Sequence, residues 1–229
     1  MTTRRSVKER WQAPRIVGVI ASASDLSAAM RIRTLPDMFE IRLDHLCGYV
    51  DQLDSKMSIL PAPLIITARH PREGGANNLS IEKRRKLLSR FLPRARYLDV
   101  ELRAASSFRS LLERARRKNV RRIISFHDFD STPTARSLRA KARAAKLRGA
   151  DIFKVATRTD TPDQLARLFD FVANKDVDLA VSAMGIGKLG AISRFVLACC
   201  GSALNYASLG ASKIEGQLSI QQLRSALGR

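Results

Sequence analysis

The sequence predicts a (β/α)8 barrel of α/β class in a single domain, and three observations lead there. Short apolar runs alternate eight times with longer amphipathic segments, the rhythm of parallel strands joined by crossover helices. Eight such units fit 229 residues, a little under the roughly 250 typical of these barrels. The competing architecture, a doubly wound open sheet, would usually place a glycine-rich phosphate loop after an early strand. The first strand is followed instead by Ser22-Ala23-Ser24-Asp25, with no Gly-x-Gly-x-x-Gly.

The elements follow in order. An apolar run makes a first strand at Ile16–Ala21, and residues 25–34 then show helical spacing. Alternation marks the second strand, Met38–Leu43, before a helical pattern over 46–58. Leu64–Thr67 and Tyr97–Glu101 are the third and fourth strands, separated by a helix over 80–91. Helical spacing over 107–118 leads to Arg122–Phe126, and that over 134–148 to Ile152–Ala156. The helix over 162–174 is announced by Thr161-Pro162-Asp163-Gln164, with a capping threonine, proline at the first helical position and glutamine where a capping box needs it. Asp178–Ala183, a helix over 189–200 and Leu204–Ala207 complete the strands. A last helix over 219–227 opens with a second box, Ser219-Ile220-Gln221-Gln222. Residues 1–14 read as a basic N-terminal extension and 15–229 as the barrel catalytic domain.

Composition excludes several classes. Hydrophobic residues at 45% and charged residues at 27% are ordinary for a globular chain and rule out general disorder. The longest apolar runs, such as 17–21 and 195–200, are far short of a membrane span, so no membrane partner is expected. The basic start has no apolar stretch behind it, so a secretory signal is not expected. Cys47, Cys199 and Cys200 are odd in number and lack zinc spacing, which suits reduced thiols and a cytoplasmic location. The formal net charge is +20, from 41 Lys plus Arg against 21 Asp plus Glu. These basic residues gather in 83–86, 114–122 and 136–148, where they alternate with Ala and Leu as on amphipathic surface helices. Aromatics are only 6% and are not interleaved with them, so stacking platforms for nucleic acid are missing. The charge therefore reads as solvated helix faces, and no specific nucleic-acid partner is expected.

Side chains alternate across a strand, and that places the charges. Phe39, Ile41 and Leu43 share one face of the second strand, while Glu40, Arg42 and Asp44 share the other. Leu98 and Val100 oppose Asp99 and Glu101; Ile124 and Phe126 oppose Ser125 and His127; Phe153 and Val155 oppose Ile152, Lys154 and Ala156. The apolar face must pack on the outer helices, so the charged face looks into the lumen. Isolated charges there would cost several kcal/mol each, so a network of both signs is required. Any one pair could be a structural bridge; the whole set, lying near the C-terminal ends of strands where barrel active sites sit, reads as a catalytic centre. Lys154 is a lone lysine near the end of an apolar strand, suited as a neutral amine to attack a carbonyl. His127, one of three histidines, suits general acid–base work. Carboxylates interleaved with Arg and Lys, without histidines at ligand spacing, imply no metal, and no cofactor is expected.

These residues resemble the type I 3-dehydroquinate dehydratase family from about Ile16 to Leu223. The motifs are Glu40-Ile41-Arg42-Leu43-Asp44, then Thr67-Ala68-Arg69-His70-Pro71-Arg72-Glu73-Gly74-Gly75, then Asp99-Val100-Glu101. Ser125-Phe126-His127-Asp128 through Pro133, Ala150-Asp151-Ile152-Phe153-Lys154-Val155-Ala156, Met184-Gly185, Gly190 through Arg194 and Gly216-Gln217-Leu218 follow in order. The resemblance implies that Lys154 forms a Schiff base with the C3 ketone of 3-dehydroquinate, and that His127 moves the C2 proton and assists loss of the C1 hydroxyl as 3-dehydroshikimate forms. It further implies that Glu73 orients His127 and that Arg194 binds the substrate carboxylate. Glu40 and Arg69 would hold ring hydroxyls with support from Arg42, Met184 and Tyr206 would pack on the ring, and Gln217 would close over it. Asp44, Asp99 and Glu101 would support the set. One departure stands out: where the family usually has Ser/Thr-Ala-Pro before Gly-Gln, this chain has Lys213-Ile214-Glu215. Lys213 is expected to supply part of the anion field of the lost hydroxyl, and Glu215 to point outward or pair with a base. The family is commonly dimeric, so the resemblance leaves a homodimer open. Another class I Schiff-base lyase or aldolase is the first alternative, and an Arg-rich nucleic-acid-binding barrel without catalysis the second.

Overall fold

The computed structural model describes residues 14–210 and 214–229. Eight strands run β1 (Arg15–Ile20), β2 (Met38–Arg42), β3 (Leu64–Thr67), β4 (Tyr97–Glu101), β5 (Arg121–Asp128), β6 (Ile152–Arg158), β7 (Ala180–Ile186) and β8 (Leu204–Ser208). They form one parallel sheet in the order β7-β6-β5-β4-β3-β2-β1-β8. The β7–β8 seam is joined by the Ala203 N–H donating to the Val181 carbonyl at 2.8 Å and by the Ser182 hydroxyl donating to the Leu204 carbonyl at 2.8 Å. The chain is thus a (β/α)8 barrel, as the alternation predicts. Among the described residues no helix is long and apolar enough to cross a membrane.

The helices are α1 (Ala23–Arg31), α2 (Val50–Met57), α3 (Ile81–Phe91), α4 (Arg109–Arg117), α5 (Ala135–Leu147), α6 (Pro162–Ala173), α7 (Gly190–Cys199) and α8 (Ile220–Ala226). Ser22, Ser80 and Thr134 cap α1, α3 and α5 through their hydroxyls, satisfying amides that have no partner within the helix. Both capping boxes read from the sequence are formed, at Thr161 and Ser219. The strands differ most at β5 to β7, which run two or three residues further than the apolar runs suggest. Their ladders continue because Asp128 pairs with Thr157, and Arg158 with Ile186; in β5 and β6 the added residues are His127, Asp128, Thr157 and Arg158, which hydropathy alone hides, and in β7 they are Met184, Gly185 and Ile186. The N-terminal extension, residues 1–14, lies outside the described residues except for Pro14.

Burial divides the strands as their alternation predicts. The outward faces, among them Phe39, Ile41, Leu98, Val100, Ile124, Phe153 and Val155, pack with Leu53, Leu88, Leu112, Leu138, Phe171 and Leu197 of the helices. The inward faces begin with an apolar floor of Val17, Met38, Ile65, Tyr97, Ile123, Ile152 and Leu204. Polar groups sit above that floor, toward the C-terminal ends of the strands. One basic residue departs from the solvated-face reading: Arg84, in the run 83–86, is 1% exposed. It shares a stripe with Ile81, Leu88 and Phe91 on α3, at the helical spacing of a core face. The basic face of α5 is partly matched by acids, with Arg139 to Asp170 and Arg143 to Asp176 at 3.3 and 2.6 Å, though such exposed pairs add little stability.

The last loop before α8 is positioned by contact between two glycine backbones. A side chain at Gly190 would sit 2.9 Å from the Gly216 Cα, and one at Gly216, whose φ is +76°, would sit 2.6 Å from the Gly190 Cα. Gly190→Ala should therefore destabilise the chain by about 1–3 kcal/mol, the usual cost of overpacking. The check is the urea midpoint; an unchanged midpoint would show that the loop yields without cost.

Candidate active site

Above the apolar floor, Glu40 from β2, Thr67 from β3, Asp99 from β4, Ser125 from β5 and Lys154 from β6 converge with Arg69, two residues beyond β3. Arg69 clamps Asp99 through both terminal nitrogens, at 2.9 and 3.0 Å. Asp99 also accepts from the Ser125 hydroxyl at 2.6 Å and from Lys154 Nζ at 3.0 Å. Glu40 accepts from the Thr67 hydroxyl at 2.7 Å and from Lys154 Nζ at 3.4 Å. All of these side chains are buried, and each charge has an opposite charge beside it, as burial of ions demands. Burial alone would raise the Asp99 pKa, but Arg69 and Lys154 outweigh it and hold the carboxyl well below its usual range.

Two further carboxylates anchor the shell. Glu101 accepts from Arg84 of α3, from Arg69 at 3.3 Å and from the His70 amide at 2.8 Å. Asp44 accepts from Arg42 at 3.0 and 2.8 Å and from the amides of Arg69 and Ala76 at 3.1 and 3.0 Å. Asp44 thus ties residues 69–76 to the end of β2, and Arg42 adds a bond to the Gly74 carbonyl at 2.9 Å.

That same segment delivers Glu73. A single 3-10 turn, Pro71–Glu73, ends in Gly74 at φ +79°. Gly75 follows, where a Cβ would lie 2.2 Å from the Arg69 carbonyl oxygen, so only glycine lets the chain double back this closely. Glu73 Oε2 accepts from the His127 amide at 3.0 Å and lies 3.0 Å from His127 Nδ1. With Glu73 ionised, Nδ1–H donates to it and Nε2 is left as the basic nitrogen. Burial, reinforced by Arg69 and Lys154, holds the His127 pKa well below that of a free imidazole. Burial also pushes Glu73 up, to about 7, although Arg69 works against it. Both partners thus resist charge, and the proton taken up near neutrality belongs to the pair rather than to either residue.

The remaining wall comes from β7, α7 and β8. The Tyr206 ring lies under Lys154, its centroid 4.1 Å from Nζ, and Met184 is buried in the same lumen cluster. Arg194 is 2% exposed; its guanidinium donates to the carbonyls of Gly216 and Tyr206, both at 3.1 Å. Among the described residues no carboxylate pairs with it, and burial lowers its pKa to about 10. Gln217 is half-buried in the last loop, its amide donating to the Ile214 carbonyl at 3.1 Å. Lys213 lies outside the described residues. Glu215 is half-exposed and pairs with Arg158 at 3.3 Å, turned to a base as expected.

Of the residues singled out from the sequence, Glu40, Arg69, Asp99, Glu101 and Lys154 form one connected network, and Glu73 with His127 forms a second pair. Arg69, expected to hold a ring hydroxyl, has its terminal nitrogens engaged by Asp99, Glu101 and Ser125. Arg42 supports the loop by way of Asp44. The sequence reading placed Ser125 only on the lumen face and missed Thr67 and Arg84 as members of the network. The helical stripe through Ile81, Arg84 and Leu88 was the available signal for Arg84.

The fold and this lumen define a (β/α)8 barrel built around a buried, ion-paired lysine, with a carboxylate–histidine pair whose histidine lies on the neighbouring strand. A family model described as type I 3-dehydroquinase matches residues 17–228. The 3-dehydroquinate dehydratase of Pyrococcus abyssi is 33% identical over 220 residues, covering 93% of this chain and 96% of that protein. The crystal structure of 3-dehydroquinate dehydratase from Geobacillus kaustophilus HTA426 matches with a TM-score of 0.86 at 27% identity, covering 94% of this chain and 90% of that one. The structure of the Enterococcus faecalis 3-dehydroquinate dehydratase matches with a TM-score of 0.82 at 28% identity, over 94% and 93% of the two chains. The chain belongs to the type I 3-dehydroquinase family.

The Glu73–His127 pair sets a pH dependence. As pH falls through about 7, the pair takes up a proton and the basic nitrogen is lost. Activity in kcat/KM should therefore fall on the acid side with an apparent pKa near 7. Glu73→Gln should abolish that limb and lower turnover. A pH–rate profile of both proteins is the check, and an unchanged limb in Glu73→Gln would assign it to another group.

Proposed function

We propose that this chain dehydrates 3-dehydroquinate to 3-dehydroshikimate through a Schiff base on Lys154. The observation that carries this is the placing of Lys154 Nζ, 3.0 Å from Asp99, on the strand beside the one that bears His127, with Ser125 and Lys154 in register. Lys154 gives a proton to His127 Nε2 and, as the neutral amine, adds to the C3 carbonyl; a second proton shifts from nitrogen to oxygen, and His127 returns its proton as the carbinolamine hydroxyl leaves as water, giving the iminium. The iminium acidifies C2, and His127 Nε2 removes a proton there. The same proton then goes to the departing C1 hydroxyl, which leaves as water. Hydrolysis of the imine releases product and restores the amine.

The other groups take roles that follow from their contacts. Glu73 orients His127 and fixes its tautomer. Arg194, buried and bound among the described residues to two carbonyls, receives the substrate carboxylate in its planar fork. Glu40 holds a ring hydroxyl, and Arg69 acts as the positioning group that keeps Glu40, Asp99 and Lys154 in place. Met184 and Tyr206 form the apolar wall, and Gln217 closes from the last loop. The small-molecule substrate is the partner this reading requires. A cytoplasmic location and a homodimer accompany it, the first supported by three free cysteines and the second by the habit of the family. The positive charge is read as solvated helix faces rather than a site for specific nucleic acid.

Ultraviolet absorbance tests the reaction directly, because the product is a conjugated enone and the substrate is not. Turnover of 3-dehydroquinate is expected, and its absence would overturn the reading. His127→Ala should lose about 10²–10⁴-fold in kcat, the usual contribution of a general acid–base group. Arg194→Gln should act mainly on KM, since the carboxylate is bound alike in substrate and transition state; a loss confined to kcat would remove Arg194 from that role.

A further inference from the structure

We propose that the floor-side end of the barrel, opposite the lysine, binds a small oxyanion of phosphate class. A cavity of about 230 Å3 opens there, lined by Arg15, Asp37, Met38, Pro63, Arg96 and Tyr97. Arg15 begins β1, Tyr97 begins β4, and Arg121, which begins β5, is in register with Tyr97. These are the N-terminal ends of the strands, whereas the catalytic groups lie toward the C-terminal ends.

The cup has donors in excess and few acceptors. Arg15 and Arg121 both donate to the Tyr97 hydroxyl oxygen, at 2.9 and 3.2 Å, and Arg121 also lies over the Tyr97 ring at 5.5 Å. Two N–H groups occupy the lone pairs of that oxygen, so its own O–H must turn elsewhere. Among the described residues it meets no acceptor. Two guanidiniums sharing one neutral acceptor repel each other, and among the described residues neither they nor Arg96 have a carboxylate within ion-pair distance. Among the described residues Asp37 is the one acid lining the cavity, and it is already engaged. Its Oδ2 accepts from the Ile16 amide at 2.7 Å, and Arg229 meets its two oxygens at 3.2 and 3.3 Å. Two cationic forks, Arg15 and Arg96, thus line the cavity beside Tyr97, with Arg121 flanking it on the Tyr97 hydroxyl, and among the described residues its walls hold no carboxylate free of a partner. Guanidinium forks match the oxygens of a phosphate in geometry and charge, and the volume leaves room for a group esterified to it.

The test is thermal unfolding of the full chain titrated with inorganic phosphate, against sodium chloride at matched ionic strength. A saturable rise in Tm is expected, about 5–10 °C when phosphate stands 100-fold above its Kd. Calorimetric titration should show at least a ten-fold weaker Kd in Arg15→Gln and in Arg96→Gln. Arg96 is exposed, so its variant separates binding from folding. Turnover of both variants without phosphate should be unchanged, and Arg194→Gln should keep the phosphate response. Glycerol phosphate is the second arm: tighter binding than inorganic phosphate assigns the site to a phosphate ester, and equal or weaker binding to the free ion. A rise that chloride reproduces, one that survives in the Arg15→Gln, Arg96→Gln double variant, or one lost in Arg194→Gln would overturn the proposal.

Discussion

A guanidinium clamped on a carboxylate inside the barrel, Arg69 on Asp99, is the contact on which the rest of the lumen depends. Asp99 can stay ionised while buried only because Arg69 and Lys154 stand against it. Lys154 in turn can be buried only because Asp99 and Glu40 receive its protons. Arg69 extends the chain outward through Glu101 to Arg84 on the outer helix α3. Removing one partner from such a series strands a buried charge, at a cost of about 3–5 kcal/mol. Stability and the placing of the amine are therefore one property of this lumen, and a group can serve both without touching substrate.

The segment between β3 and α3 links that network to the proton-transfer pair. Arg69 opens it and Glu73 closes its 3-10 turn, so the residue that fixes Asp99 and the one that orients His127 lie four positions apart. Asp44 pins both ends of the stretch through the amides of Arg69 and Ala76. Gly75, with no room for a side chain against the Arg69 carbonyl, makes the reversal achievable. The two halves of the chemistry are in this way set at a fixed distance by backbone geometry rather than by loop closure. The last βα loop is built differently. It rests on a glycine–glycine contact, and in it Glu215 is drawn to Arg158.

Much of this was legible in the sequence, for definite physical reasons. The eight-fold alternation and the two capping boxes are local signals, and they located every strand and helix to within a few residues. The lumen face was legible because a strand has a period of two, so Asp99, Glu101, His127 and Lys154 had to point one way once Leu98, Val100, Phe126 and Phe153 pointed the other. The ends of β5 and β6 were not, because His127, Asp128, Thr157 and Arg158 break the apolar pattern while the ladder continues. Partner choice was not legible either. Nothing in the order of residues says that Arg69 would use its nitrogens on Asp99, or that one arginine in a run of basic residues would turn inward to Glu101. Those pairings are set by the barrel's closure, which brings Glu40 and Lys154, 114 positions apart, into contact.

The chemistry rests on Lys154 as the nucleophile held by that network. Its most direct test is peptide mapping by mass spectrometry after borohydride is added with 3-dehydroquinate. A reduced adduct on Lys154 is the predicted result, retained in His127→Ala because water can carry the proton of imine formation while the C2 and C1 transfers fail. No adduct in an enzyme that turns over, or an adduct on Lys188 or another lysine in its place, would contradict it.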